Sequence, residues 1–138
     1  MSRIVIDASV ALAWCFPDES SDFADAVLSE VEHQELIVPA IWSVEVSNAL
    51  LVGERRKRIR EAEIRQFVQL LDRLAIFEDS QPAAQAMAGI LPLARTHNLS
   101  AYDAAYLEVA VRHRALLATL DGALLRAATA NGVKHFRV

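Results

Sequence analysis

Short apolar runs in this chain alternate with longer stretches of helical periodicity, and few architectures accommodate that order. Arg3 to Asp7 (RIVID), Leu36 to Val38, Ala75 to Glu78, Ala115 to Thr119 and Lys134 to Arg137 read as strands. Helices are expected over Ala8–Phe16, Ser20–Glu35, Pro39 to about Glu54, Arg60–Leu74, Pro82–His97, Ala101 to about His113 and Gly122–Asn131. Pro17 stops the first of these, Ser20 or Ser21 caps the second, and Pro39 opens the third. Asn98 suits the left-handed position that follows a helix, Gly132 ends the last helix, and Ser100 caps the helix beginning at Ala101. Strands separated by helices run parallel, and a parallel sheet is covered on both faces. The expected fold is α/β, in a single domain over residues 1–138. A hydrophobic content of 54% is enough for a closed core, and no repeat or linker divides the chain.

Against this apolar background four carboxylates stand alone. Asp7 is the only charged residue between Ile4 and Phe16, and Glu45 the only one between Pro39 and Gly53. Asp103 is isolated from Leu99 to Leu107, and Asp121 from Leu116 to Leu125. Burying an unpaired carboxylate costs several kcal/mol, and no isolated Lys or Arg accompanies them. A hard divalent cation held by all four would offset that cost. Asp7 ends the first strand and Asp121 follows the fourth, at the sheet edge where open parallel sheets bind ligands. Asp103 opens a helix, and Glu45 lies in the helix leaving the second strand.

Three of the acids also have an ordinary reading. Asp7 and Asp121 suit helix N-caps, and Ser100-Ala101-Tyr102-Asp103 has the form of a capping box. Glu45 does not, because it sits mid-helix with Asn48 on its face, flanked by Ile41 and Val52. Taken jointly, the four favour a site. Hydroxyls of Ser9 and Thr119, each two residues from an acid, are placed to bond carboxylate oxygens or metal-bound water.

Other features are less specific. The block Arg55-Arg56-Lys57-Arg58, with Arg60, is a solvated helix end, a phosphate-steering patch or a partner contact. His33, His97, His113 and His135 lack metal-ligand spacing and are expected at the surface or in caps. Cys15, the single cysteine, agrees with a reducing compartment and reads as core filler. The net charge of −4 is mild. No run is long and apolar enough to span a bilayer, no signal peptide is evident, and a cytoplasmic location without membrane contact is expected. The Ala8–Phe16 helix is apolar all round, including Trp14, so it is either fully covered or partly a docking groove.

The segments I-V-I-D-A-S (4–9), W-S-V-E-V-S-N-A-L (42–50), L-S-A-Y-D-A-A-Y (99–106) and T-L-D-G-A-L-L (119–125) resemble the PIN-domain nucleases. More closely, with A-L-A-W-C-F-P-D-E (11–19), they resemble the toxin subunits of VapBC-type toxin–antitoxin pairs. The resemblance covers essentially the whole chain, and no acid of the pattern is missing. It implies a three-layer α/β/α sandwich around a parallel sheet of about five strands. It also implies Mg²⁺- or Mn²⁺-dependent endoribonuclease activity on single-stranded or looped RNA of the tRNA or rRNA class. The family's four acids fall on Asp7, Glu45, Asp103 and Asp121, and its small hydroxyl residue on Ser9. With one or two ions, Asp7 and Asp103 are the expected direct ligands. Asp121 would ligate directly or through water, and Glu45 would bind a second ion or orient the attacking water. An antitoxin partner and a homodimer are implied too, with Trp14 as a candidate anchor in the docking groove.

Two alternatives differ in kind. A phospho-receiver domain needs adjacent early acids and a late Lys at a strand end, whereas Asp7 has no acidic neighbour and Lys134 begins its strand. A PIN-fold nuclease of RNA processing or DNA metabolism shares every motif above, and only the short chain argues against it.

Overall fold

The computed structural model describes residues 3–137. Among these residues four strands form one parallel sheet in the order β3-β2-β1-β4: β1 Arg3–Ile6, β2 Glu35–Pro39, β3 Ile76–Asp79 and β4 Leu116–Ala118. β1 pairs with β2 through Ile4↔Leu36 and with β4 through Val5↔Leu117, and β2 pairs with β3 through Pro39↔Asp79. Ile4, Val5, Ile6, Leu36 and Leu117 have no or almost no exposed surface, as expected where a strand is covered on both faces.

Among the described residues seven α-helices connect and cover the strands: α1 Ala8–Ala13, α2 Asp22–Val31, α3 Ile41–Arg55, α4 Glu61–Asp72, α5 Ala83–His97, α6 Ala101–His113 and α7 Gly122–Ala130. The chain steps from β1 to β2 to β3 and then returns past β1 to β4. Right-handed crossovers put the helices of the outward steps on one face and those of the return on the other. The packing agrees, since α1 contacts α2 and α3 while α6 contacts α5 and α7. Buried side chains from both groups join the sheet in one hydrophobic core. No helix among the described residues is long and apolar enough to cross a membrane.

Several expected limits shift for identifiable reasons. The first helix ends at Ala13, because Trp14 and Cys15 bond back three residues and Phe16, preceding Pro17, is extended. Ser21 caps α2, and Glu35 belongs to β2 instead of that helix. Pro39 does not open α3; it closes β2, where its missing N–H costs little, and α3 begins after Ala40 without a side-chain cap. The fifth strand at Lys134–Arg137 contracts to one parallel bridge, Leu117↔His135. β4 is only three residues long and exposes a single ladder repeat on its outer side, filled by Leu117 N–H to Lys134 O and Phe136 N–H to Leu117 O. Asn98 and Gly132 do adopt left-handed backbone, with φ of 52° and 74°.

Candidate active site

β1 and β4 are neighbours whose connections leave in opposite directions, so the carboxyl ends of these two strands form the topological switch point of the sheet. A crevice opens there because successive crossovers depart to opposite sides. Asp7 follows β1 directly, and Thr119 and Asp121 follow β4.

Asp7 is 6% exposed and caps α1. Its Oδ1 accepts from Ser9 Oγ at 2.6 Å and from the Val10 N–H at 3.3 Å, and its Oδ2 accepts from Thr119 Oγ1. Thr119, itself buried, accepts in turn from the Asp121 N–H at 2.9 Å. One hydroxyl thus links the ends of the two central strands. Asp121 caps α7, its Oδ1 accepting from Ala123 and Leu124 N–H groups, and Asp103 donates its backbone N–H to Ser100 Oγ at 3.1 Å. The capping and site readings therefore do not compete: a cap uses only some of a carboxylate's four lone-pair sites, and both caps of Asp121 fall on Oδ1.

Glu45 lies on a half-buried stripe of α3 with Ile41, Ala49 and Val52, beside the core-facing row Trp42, Val46, Leu50 and Gly53. Its Oε1 accepts from the Tyr106 hydroxyl at 3.0 Å. Tyr106 is 1% exposed and lies one helical turn beyond Asp103 on α6. Sequence reasoning missed this residue. The available signal was its i, i+3 spacing from Asp103 and the need of a buried Tyr hydroxyl for a partner.

Among the described residues no cation pairs with these acids. Burial pushes the Asp7 carboxyl above its ordinary range, against the hydrogen bonds from Ser9, Thr119 and Val10, and the charge of Asp103 adds to the rise. Glu45 is raised by burial, less the Tyr106 bond, with Asp103 and Asp7 contributing repulsion. Asp103 is raised by burial and then by the charge of Asp121. The Tyr106 hydroxyl is pushed far up by burial and by the neighbouring Glu45. The acids therefore feel one another pairwise, although among the described residues no three His, Cys, Asp or Glu side chains close up into a cation cage.

The other candidates lie apart from this cluster. Asn48 is exposed on α3 and makes no side-chain hydrogen bond among the described residues, so it does not join Glu45's contacts. In the basic block, Arg58 is held by Asp18 at 2.8 Å and Glu19 at 3.1 Å and stacks over the Phe16 ring at 4.5 Å. Arg55, Arg56 and Lys57 are exposed. Trp14 is half-buried and donates its indole N–H to Ala24 O at 2.8 Å, which fastens α1 to α2. Burial pushes the Cys15 thiol up to about 11, in keeping with an inert packing residue.

A family model described as "PIN domain" matches residues 4–130. The chain is 31% identical over 119 residues to Ribonuclease VapC3 of Pyrobaculum aerophilum, an alignment covering 86% of this chain and 89% of that protein. Among solved structures, PAE2754 from Pyrobaculum aerophilum superimposes with a TM-score of 0.69 at 24% identity, covering 91% of this chain and 86% of that one. The FitAB complex bound to an IR36 DNA fragment includes a chain with a TM-score of 0.67 at 22% identity, covering 96% and 93%. At those identities the structural likeness speaks for the fold. With the domain match spanning nearly all of the sequence and a VapC-type relative aligned over most of its length, this chain belongs to the PIN-domain family.

Proposed function

We propose that the chain is a Mg²⁺- or Mn²⁺-dependent endoribonuclease and the toxin half of a toxin–antitoxin pair, acting on RNA of the tRNA or rRNA class. The observation that carries this reading is the uncompensated set of acids at the switch point of a PIN-domain sheet. Asp7, Glu45 and Asp103 are all raised, and the described structure supplies no cation to them. Their donor set is oxygen only, which fits Mg²⁺ or Mn²⁺ better than zinc. Asp7 and Asp103 would hold the ion, with Asp121 and Glu45 completing one site or a second. Such an ion, when bound, supplies Lewis-acid stabilisation of phosphate charge and a more acidic water.

The residues of the chain have separable tasks in that reading. Ser9 and the Val10 N–H occupy Oδ1 of Asp7 and Thr119 occupies one side of Oδ2, which leaves the other side of Oδ2 for a ligand. Tyr106 orients Glu45, whose raised pKa suits it to hold or release a proton on the attacking water. Thr119 couples the position of Asp7 to that of Asp121 through its bond from the Asp121 N–H. An antitoxin and a second copy of the chain are the partners that go with this function.

The direct test is cleavage of a tRNA pool by the purified protein in Mg²⁺, in Mn²⁺ and in excess chelator. Cutting that needs the metal and vanishes in Asp103→Asn supports the proposal. Undiminished cutting in chelator removes the metal from it, and cutting of DNA alone moves the chain to a different branch of nuclease chemistry.

A further inference from the structure

Two cavities at the opposite, amino edge of the sheet have linings of the reverse charge. A cavity of about 770 Å³ lies between the C-terminal ends of α6 and α7, lined by Arg3, His113, Arg114 and Lys134 among its polar residues. A second of about 560 Å³ shares Lys134 with it and adds His135 and Arg137. Neither lining includes an Asp or Glu, in a chain whose net charge is −4. Arg3 is partly engaged by Glu35 at 3.3 Å and His113 by Asp79 at 2.7 Å, but Arg114, Lys134 and Arg137 make no ion pair among the described residues. His135 stacks on Phe23 at 5.3 Å, and its Nε2 is buried with no hydrogen-bond partner among the described residues.

The plain alternative is that these cations complement two helix C-termini. It accounts for Arg114, which ends α6 in left-handed backbone at φ 52°. It does not account for Lys134 and Arg137, which lie beyond α7 on the returning segment. Open, acid-free concavities lined by cations match phosphate groups, and two adjoining ones match a chain of them. Arg3 opens β1 and Asp7 directly follows it, four residues and roughly 13 Å apart, so the two sites lie at opposite edges of the sheet within the span of one folded RNA.

We infer that the amino edge is a second phosphodiester-binding tract, which anchors the RNA substrate away from the bond that is cut. This rests on the endoribonuclease reading above, and its test separates the two. Arg114→Asn (Asn tolerates the left-handed backbone), Lys134→Gln and Arg137→Gln would be combined and first checked for unchanged thermal stability. Binding to a tRNA transcript, measured in an Asp103→Asn background across a salt series, should weaken at least tenfold. The slope of log affinity against log salt should fall by about 2, the contribution of three phosphate contacts. Cleavage by the otherwise wild-type enzyme of an oligonucleotide too short to reach the amino edge should be unchanged. An unaltered salt slope, or equal weakening on the short oligonucleotide, would overturn the tract. So would stabilisation by inorganic phosphate alone with no effect on RNA, since that outcome describes a small-anion pocket. If wild-type protein cut neither RNA, the nuclease reading would fall while the binding series still decided the tract.

Discussion

Asp7 and Asp79 stand at the carboxyl ends of strands in one sheet, both largely covered, and they are treated in opposite ways. Asp79 receives both guanidinium nitrogens of Arg112 and the His113 Nε2 at 2.7 Å, and Arg112 is shared with Glu108 at 2.8 Å. The Arg112 bond, opposed by burial and helped by His113, holds the Asp79 carboxyl below its ordinary range. Asp7 receives two hydroxyls and one backbone N–H and is pushed above it. Hydroxyls orient a carboxylate without neutralising it, whereas a guanidinium does both. Asp79 is therefore complete within the fold and ties the edge strand β3 to α6. Asp7 remains electrostatically open.

The largest effect should separate these two acids directly. Asp7→Asn should lower RNA cleavage by about 10³-fold or more, as expected for loss of a principal electrostatic group. It should also stabilise the metal-free protein by relieving burial and repulsion. Asp79→Asn should leave cleavage within about tenfold of wild type while destabilising the fold by about 1–3 kcal/mol, the range for a charge-assisted bond. A folded Asp79→Asn protein as inactive as Asp7→Asn would collapse the contrast.

The next effect is on the pH dependence of stability in chelator. Asp79, lowered in the folded state, contributes stability that is present above the ordinary carboxyl range and lost as pH falls through its folded pKa. Asp7, Glu45 and Asp103, all raised, have the opposite sign. They bind protons more tightly when folded, so stability declines as pH rises from the ordinary range through their folded values. Denaturant midpoints between acid and neutral pH should show the first slope flattened by Asp79→Asn and the second by Asp7→Asn. Added Mg²⁺ should reverse the second slope only, and a metal-independent profile would contradict the open state of Asp7.

A smaller effect is expected at Tyr106. Tyr106→Phe removes the one bond that lowers the Glu45 pKa, so the acid limb of the pH–rate profile should move up with about a tenfold loss of kcat. Loss of stability with an unmoved profile would make Tyr106 a packing residue. The smallest effect concerns Arg58, already engaged by Asp18 and Glu19. Arg58→Ala should lower thermal stability slightly and leave the salt dependence of RNA binding alone. Any basic-block contribution to that dependence should come from Arg55, Arg56 and Lys57.

What the sequence makes legible follows from local rules. The alternation of RIVI and ELIVP with capped helices yields the parallel sheet, and isolation in apolar runs singles out the acids at its edge. The helix ends at Asn98 and Gly132 were readable because φ above zero selects few residues. Tertiary choices were not readable. Nothing in the sequence pairs Asp79 with Arg112 and His113 across more than thirty residues, so nothing there sets Asp79 apart. Pro39 fits a strand end and a helix start equally well, and only the ladder to Asp79 decides it. Arg58 was indistinguishable from its basic neighbours until Phe16, Asp18 and Glu19 came against it.

Gly53 deserves a mechanical reading. A methyl group there would sit 2.7 Å from two ring atoms of Phe16, which is 1% exposed and roofed by Arg58. Because that ring is buried, this contact helps to set the gap between α3 and the end of the α1 segment. Glu45 rides on the same helix eight residues away, a lever arm of about 12 Å. A tilt of about five degrees at Gly53 would carry the Glu45 carboxylate about 1 Å relative to Asp7, a displacement on the scale that costs catalysts about a hundredfold. The alignment of two acids is in this sense calibrated from the far end of a helix, by a residue that has no side chain and touches no substrate.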